Sequence, residues 1–179
     1  MSDQGIGVAV RRKEDIRFTT GRGRYTDDFV ASNQSYAYVL RSPVAHARLN
    51  AVDTAAAASA PGILAVLTGQ DLQNLGIGGL PCGWSATSKD GSEMPEPVRP
   101  AMAIDRIRYV GEPVAVVIAE SRNLAQDAAE LIELDYEDLD AVASTLSAMR
   151  DDAPQIHDEV PGNQLFDWEI GDKAATDAA

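Results

Sequence analysis

Two histidines, one cysteine and a pair of glycine-flanked arginines are the side chains best suited to chemistry in this sequence. His46 and His157 lie more than a hundred residues apart. Metal sites usually draw ligands in pairs such as His-x-x-x-His, and neither histidine has such a neighbour. His46 reads as a structural residue on a strand edge, and His157, beside Asp158 and Glu159, as a surface residue. No Gly-x-Ser-x-Gly elbow is present to raise a nucleophilic serine. Cys82 is the single thiol. It reads as a small loop residue, makes no intrachain disulfide, and cannot by itself hold an iron–sulfur cluster, which takes about four thiolates. With 28 Asp and Glu, a carboxylate pair chosen for acid–base work carries no specificity. Arg22 and Arg24, bracketed by Gly21 and Gly23, are better placed to edge an anion or cofactor. Glycine lets backbone approach a ligand, and arginine grips oxyanions in a fork. The competing reading pairs them with Asp27, Asp28 or a neighbouring domain. Trp84 and Trp168 could each pack on a partner, and Trp168 equally in the chain's own core.

These groups need elements to position them. A length of 179 residues allows one ordinary domain with room for an appendage, and 45% apolar residues suffice for a core. The longest apolar run, 113–119, is far short of the roughly 20 residues that span a bilayer. No apolar signal-peptide region opens the chain, and a lone cysteine fits a reducing compartment, so the expected location is cytoplasmic. The net charge of −13 argues against nucleic acid as a partner. The charge is uneven: residues 1–48 hold eight Arg or Lys against five acids, and residues 127–159 hold eleven acids and Arg150. The acidic end reads as a solvated face, or alternatively as a docking face for another domain.

Periodicity supplies the framework. Strands are predicted at 36–41, 46–52, 63–68, 104–110, 114–119 and 134–137. The run Val114–Ala119 is apolar on both faces, as in a central, doubly covered strand. A helix capped by Ser121 presents Leu124, Ala128, Leu131 and Ile132 on one face. Short helices are expected after Asp53 or Thr54, at 69–72 and at 144–149. The stretch 74–100 holds five of fourteen glycines and four of nine prolines, and reads as a long loop. Its Gly76-Ile77-Gly78-Gly79 is not a dinucleotide fingerprint. Phe166–Ile170 could begin another strand, and residues 171–179 look like a turn entering a helix that is cut off. Together these elements give an α+β class: a mixed sheet with covering helices.

Six segments occur in an order that resembles one family. They are Asp15–Asp28; Arg41-Ser42-Pro43-Val44-Ala45-His46-Ala47-Arg48; Pro61–Leu72; Arg108-Tyr109-Val110-Gly111-Glu112-Pro113-Val114-Ala115; Asp127–Glu130 with Leu134–Glu137; and Phe166–Asp172. The chain resembles the opening of the molybdopterin-binding large subunit of the xanthine dehydrogenase, aldehyde oxidase and aerobic carbon monoxide dehydrogenase family, with a leaning to the carbon monoxide branch. The resemblance implies a flexible segment at 1–13, an α/β hammerhead domain at 14–145, and a linker with the truncated start of the molybdenum-binding domain at 146–179. It implies oxidoreductase chemistry for a complete subunit, either hydroxylation or CO oxidation with water as oxygen source. That chemistry would use a molybdenum–molybdopterin cytosine dinucleotide or a related cofactor, with electrons leaving through iron–sulfur and FAD subunits. The family's pterin-binding segments and catalytic glutamate have no counterpart here. No catalytic, cofactor-binding or metal residue is therefore carried over, and no cofactor is expected within this chain.

The expected role is that of an N-terminal structural domain, not catalytic by itself, packing on the remaining molybdenum-binding domains. An alternative is a stand-alone or split-subunit interaction module that assembles with a separate cofactor-bearing chain. The first reading predicts apolar surface left exposed where other domains would sit.

Overall fold

The computed structural model describes Gly7 and residues 11–179, so residues 1–6 and 8–10 of the flexible segment expected at 1–13 lie outside the described residues. The chain divides into two units, 1–34 and 35–179.

In the first unit, helix α1 (Asp15–Thr19) is followed by a single 3-10 turn at Thr26–Asp28. The Asp28 carboxylate accepts the Tyr25 N–H at 2.8 Å, which fixes that turn. Phe18 stacks on Tyr25 at 5.7 Å, and the guanidiniums of Arg17 and Arg24 lie over the rings of Phe18 and Phe29.

The second unit holds the sheets. Its strands are β1 (Tyr36–Arg41), β2 (Ala47–Asp53), β3 (Ile63–Thr68), β4 (Arg106–Ile107), β5 (Pro113–Ala119) and β6 (Glu133–Asp138). The α+β class with covering helices is what forms. The strands are divided between two antiparallel sheets, β1-β5-β3 and β4-β2-β6. The chain passes from the first sheet to the second three times: between β1 and β2, between β3 and β4, and through helix α4 (Arg122–Ala129) between β5 and β6.

Side-chain alternation explains the layering. Ala115, Val117 and Ala119 point from β5 into one cluster with Ala125, Ala128 and Ala129 of α4 and Ala57 of helix α2 (Ala55–Ala58). These small side chains let α4 lie close over the sheet. Val114, on the other side of β5, joins Ala47, Leu49, Ala103 and Ile107 in a second cluster. Val116 and Ile118 remain only half-buried, so β5 is central but is not fully covered on its outer face. Val52 and Leu134, paired across β2 and β6, pack against both clusters.

Local chemistry sets the element ends. Ser121 Oγ accepts the Leu124 N–H at 3.3 Å and starts α4. The helix ends at Ala129, so Leu131, expected on its inner face, is exposed, whereas Ile132 is buried. Helix α3 (Gly69–Asn74) begins in a capping box: Thr68 Oγ1 faces the Asp71 N–H, and Asp71 accepts from Thr68 N at 2.8 Å. Those Thr68 bonds hold the Asp71 carboxyl below its ordinary value. Helix α5 (Thr145–Ala148) is capped by Ser144, and helix α6 (Lys173–Asp177) by Asp172. Two expected strands differ. The 104–110 strand shrinks to β4, because the Arg108 N–H turns away to the Glu112 carboxylate. Phe166–Ile170 forms no strand: its described main-chain bonds are Lys89 N–H to the Asp167 carbonyl and Asp167 N–H to Ser88 Oγ, too few for a ladder.

Two variants probe this packing. A Cβ added at Gly69 would lie 2.3 Å from the Ala103 carbonyl oxygen and 2.7 Å from that of Met102. Gly69→Ala is expected to lower stability by about 1–3 kcal/mol despite alanine's higher helix propensity. Ile107 is fully buried, and Ile107→Ala should lose about 2–5 kcal/mol. Urea denaturation midpoints at constant slope would measure both.

Candidate functional site

The segments 41–46 and 108–113 meet at the junction of the two sheets. Ser42 N–H donates to the Glu112 carbonyl at 2.8 Å, and Gly111 N–H donates back to the Ser42 carbonyl at 2.9 Å. Arg41 Nη1 donates to the Gly111 carbonyl at 2.9 Å. Gly111 has φ +86, a left-handed conformation that a side chain would strain. Ser42 Oγ donates to the Val44 carbonyl and accepts the Val44 N–H, turning the chain toward β2. Glu112, 5% exposed, accepts the Arg108 N–H at 2.5 Å. Burial pushes its carboxyl above the ordinary value, against the opposing pull of the Arg108 N–H and guanidinium. The turn leaves Tyr109 and Val110 exposed.

Arg108 also reaches a cavity of about 490 Å³. Its walls come from the 82–99 loop, Arg108, and the connecting chain at 142–165. Apolar residues dominate, among them Met94, Val142, Ile156 and Val160, with Arg99, Arg108, Glu96 and His157 as the charged or titratable groups. Arg106 pairs with Asp158 at 3.0 Å. Arg99 and Arg108 make no ion pair among the described residues, and Arg108 Nε is buried without a hydrogen-bond partner. His157 is half-buried in the cavity wall and is not the surface residue its acidic neighbours suggested. Burial holds its imidazole below the ordinary value. Arg108, Arg106 and Arg99 press the same way, and Glu159 opposes them. No periodicity links residues 82–99, 108 and 142–165, so sequence spacing carried no signal of this cavity.

The other candidates are placed as follows. His46 is buried, and its Nδ1–H donates to the Asp140 carbonyl at 2.7 Å, which ties the start of β2 to the end of β6. Its Nε2 is buried without a partner. Cys82 is exposed, with its Sγ 2.8 Å from the Trp84 carbonyl. Trp84 meets Phe166 edge to face, and Trp168 is exposed. Arg22 and Arg24 belong to the first unit, where Arg24 lies over Phe29. All eleven acids of 127–159 are exposed, which the solvated-face and the docking-face readings both require.

Among the described residues no group of three or more His, Cys, Asp or Glu could hold a metal ion. The described side chains therefore do not fit a metal centre. No helix among them is long and apolar enough to cross a membrane.

Comparison with known proteins gives a consistent picture. The family described as "Aldehyde oxidase and xanthine dehydrogenase, a/b hammerhead domain" matches residues 20–140. The carbon monoxide dehydrogenase large chain of Afipia carboxidovorans is 37% identical over 187 residues, covering 98% of this chain and 22% of its own. The xanthine dehydrogenase molybdenum-binding subunit of Escherichia coli O157:H7 is 32% identical over 148 residues, covering 82% of this chain and 19% of its own. The structure of reconstituted CO dehydrogenase from Oligotropha carboxidovorans superimposes with a TM-score of 0.79 at 35% identity, over 98% of this chain and 22% of that one. The chain thus spans about a fifth of the length of the relatives it matches.

The junction gives a pH prediction. The Glu112 carboxyl titrates above its ordinary 4.5 in the folded state. Well below that ordinary value it is neutral in both folded and unfolded chains. As pH rises past it, the unfolded chain ionises first, so this group's stabilisation is lost progressively. Glu112→Gln keeps an acceptor for Arg108 N–H and removes the buried charge. Its melting temperature should gain on the wild type as pH rises from about 4 to 7. Glu112→Ala orphans that N–H and should lose about 1–3 kcal/mol at every pH.

Proposed function

The chain belongs to the aldehyde oxidase and xanthine dehydrogenase family of oxidoreductases through its a/b hammerhead domain, and on that premise we propose that it is the N-terminal structural domain of a molybdenum hydroxylase large subunit. The hammerhead domain occupies residues 14–145, and residues 146–179 lead toward the molybdenum-binding domains. It packs on those domains and on iron–sulfur and FAD subunits, in the cytoplasm. The complete subunit hydroxylates a carbon centre or oxidises carbon monoxide, taking its oxygen from water. A molybdenum–molybdopterin cytosine dinucleotide, held by the other domains, supplies that chemistry. This chain's own residues keep the two-sheet platform rigid and offer the docking surface.

The observation that carries this reading is the apolar surface outside the two clusters. Leu75, Ile77, Leu80, Trp84 and Val98 on the long loop are each more than half exposed, as are Leu146, Met149, Trp168 and Ile170 near the other end. Single exposed apolar residues are ordinary, but nine concentrated in the stretches 75–98 and 146–170 suit burial by neighbouring domains.

The test is reconstitution. The 179-residue chain, purified alone, is expected to carry no molybdenum and to give no turnover with an artificial electron acceptor. Joined to the remainder of a related large chain and its partner subunits, it should support both. A chimera carrying Ile77→Asp and Trp84→Asp, which place charge on the exposed apolar loop, should lose assembly, read as a lower yield of complex on size exclusion. Molybdenum and turnover in the isolated chain would overturn the proposal.

A further inference from the structure

We propose that the cavity walled by Arg99, Arg108 and His157 binds a small organic monoanion, a carboxylate carried on an apolar body. A volume of about 490 Å³ lies within the roughly 300–1,000 Å³ typical of small-molecule sites. Most of its lining is apolar, including Met94, Val142, Ile156, Val160 and Leu165. Such a wall buries a hydrocarbon body and disfavours an inorganic ion, which would lose part of its hydration shell against it.

The polar part of the wall is cationic. Arg108 makes one long bond, Nη1 to the Arg106 carbonyl at 3.4 Å, and its Nε is buried with no partner. A guanidinium removed from water normally has its donors matched, because an unmatched buried donor is destabilising. The Glu112 carboxylate accepts the Arg108 backbone N–H and makes no ion pair with its guanidinium among the described residues. Arg99 contributes a second guanidinium, which among the described residues makes a 3.5 Å contact to the Pro81 carbonyl. A carboxylate is the group that answers a guanidinium fork with two parallel bonds.

Opposing charges are present and limit the ligand. Glu96 stands in the same wall, Asp158 pairs with Arg106, and Glu159 acts on His157 against the three arginines. Arg99 and Arg108, two guanidiniums without an ion pair among the described residues, stand in the wall against the single carboxylate of Glu96. One negative charge is therefore accommodated, and a second would meet Glu96. The cavity walls share the 82–99 and 142–165 segments with the docking surface proposed above, and ligand binding by the chain and assembly of the complex are read separately.

Hexanoate, 1-hexanol and inorganic phosphate are suitable probes, titrated into the isotope-labelled 179-residue chain and followed by NMR at His157 and Val160. Hexanoate is expected to shift both residues saturably. The alcohol, with the same body and no charge, should bind at least about tenfold more weakly. Phosphate, with charge and no body, should do the same. Arg108→Gln should weaken hexanoate about tenfold. Arg99→Gln, at an exposed position, should weaken it about threefold and keeps the test open if the Arg108 variant does not fold. Absence of a saturable hexanoate shift, equal binding of the alcohol or of phosphate, or hexanoate binding unchanged in a folded variant would each overturn the proposal.

Discussion

One strand serves two cores, and the rest of the second unit depends on that arrangement. Val114 and Ala115 are neighbours in β5, yet each is fully buried in a different cluster. A strand sends successive side chains to opposite faces, so its opening residues pack sheet against helix on one side and sheet against sheet on the other. β1 and β3 hold β5 from its two edges. β6 and β4 hold β2 in the same way in the second sheet. Val52 and Leu134 then touch both clusters and join the layers.

The corner at Ser42 and Glu112 is the hydrogen-bonded counterpart of that packing. Two reciprocal backbone bonds and a Gly111 in the left-handed region fix where β1 stops and β5 starts. The Arg108 N–H, which would otherwise continue the β4 ladder, is satisfied by the buried Glu112 carboxylate. A buried acid is an expensive way to satisfy one donor when ionised. Its placement gives a turn of defined shape, with Tyr109 and Val110 presented to the outside. A rigid turn loses little further freedom when a neighbouring surface covers it.

Electrostatics follow position more than composition. The chain is strongly acidic, and the eleven acids of 127–159 all face solvent. Arg48 with Glu137, Arg150 with Asp152 and Lys89 with Asp167 are exposed pairs, each worth little to stability. Arg99, Arg106 and Arg108 are instead gathered around His157 beside an apolar cavity. A local cationic site inside an anionic molecule is invisible to any count of charges.

The hydrophobic pattern by itself determined most elements. Alternation marked β1, β2 and β6, the continuous apolar runs 63–67 and 113–119 marked β3 and β5, and Ser121 marked the start of α4, because these signals are local. The ordered segments Arg41–Arg48 and Arg108–Ala115 pointed to the hammerhead family, since a motif is a property of the linear chain. Three things were decided only by tertiary structure. The strands were dealt into two sheets, because pairing partners lie many tens of residues apart and no local period encodes them. Arg108 left its ladder for Glu112, a choice made by a turn that burial stabilises. His157 moved from an expected surface position to the wall of a cavity, because the distant loop 82–99 and Arg108 close over the chain that carries it.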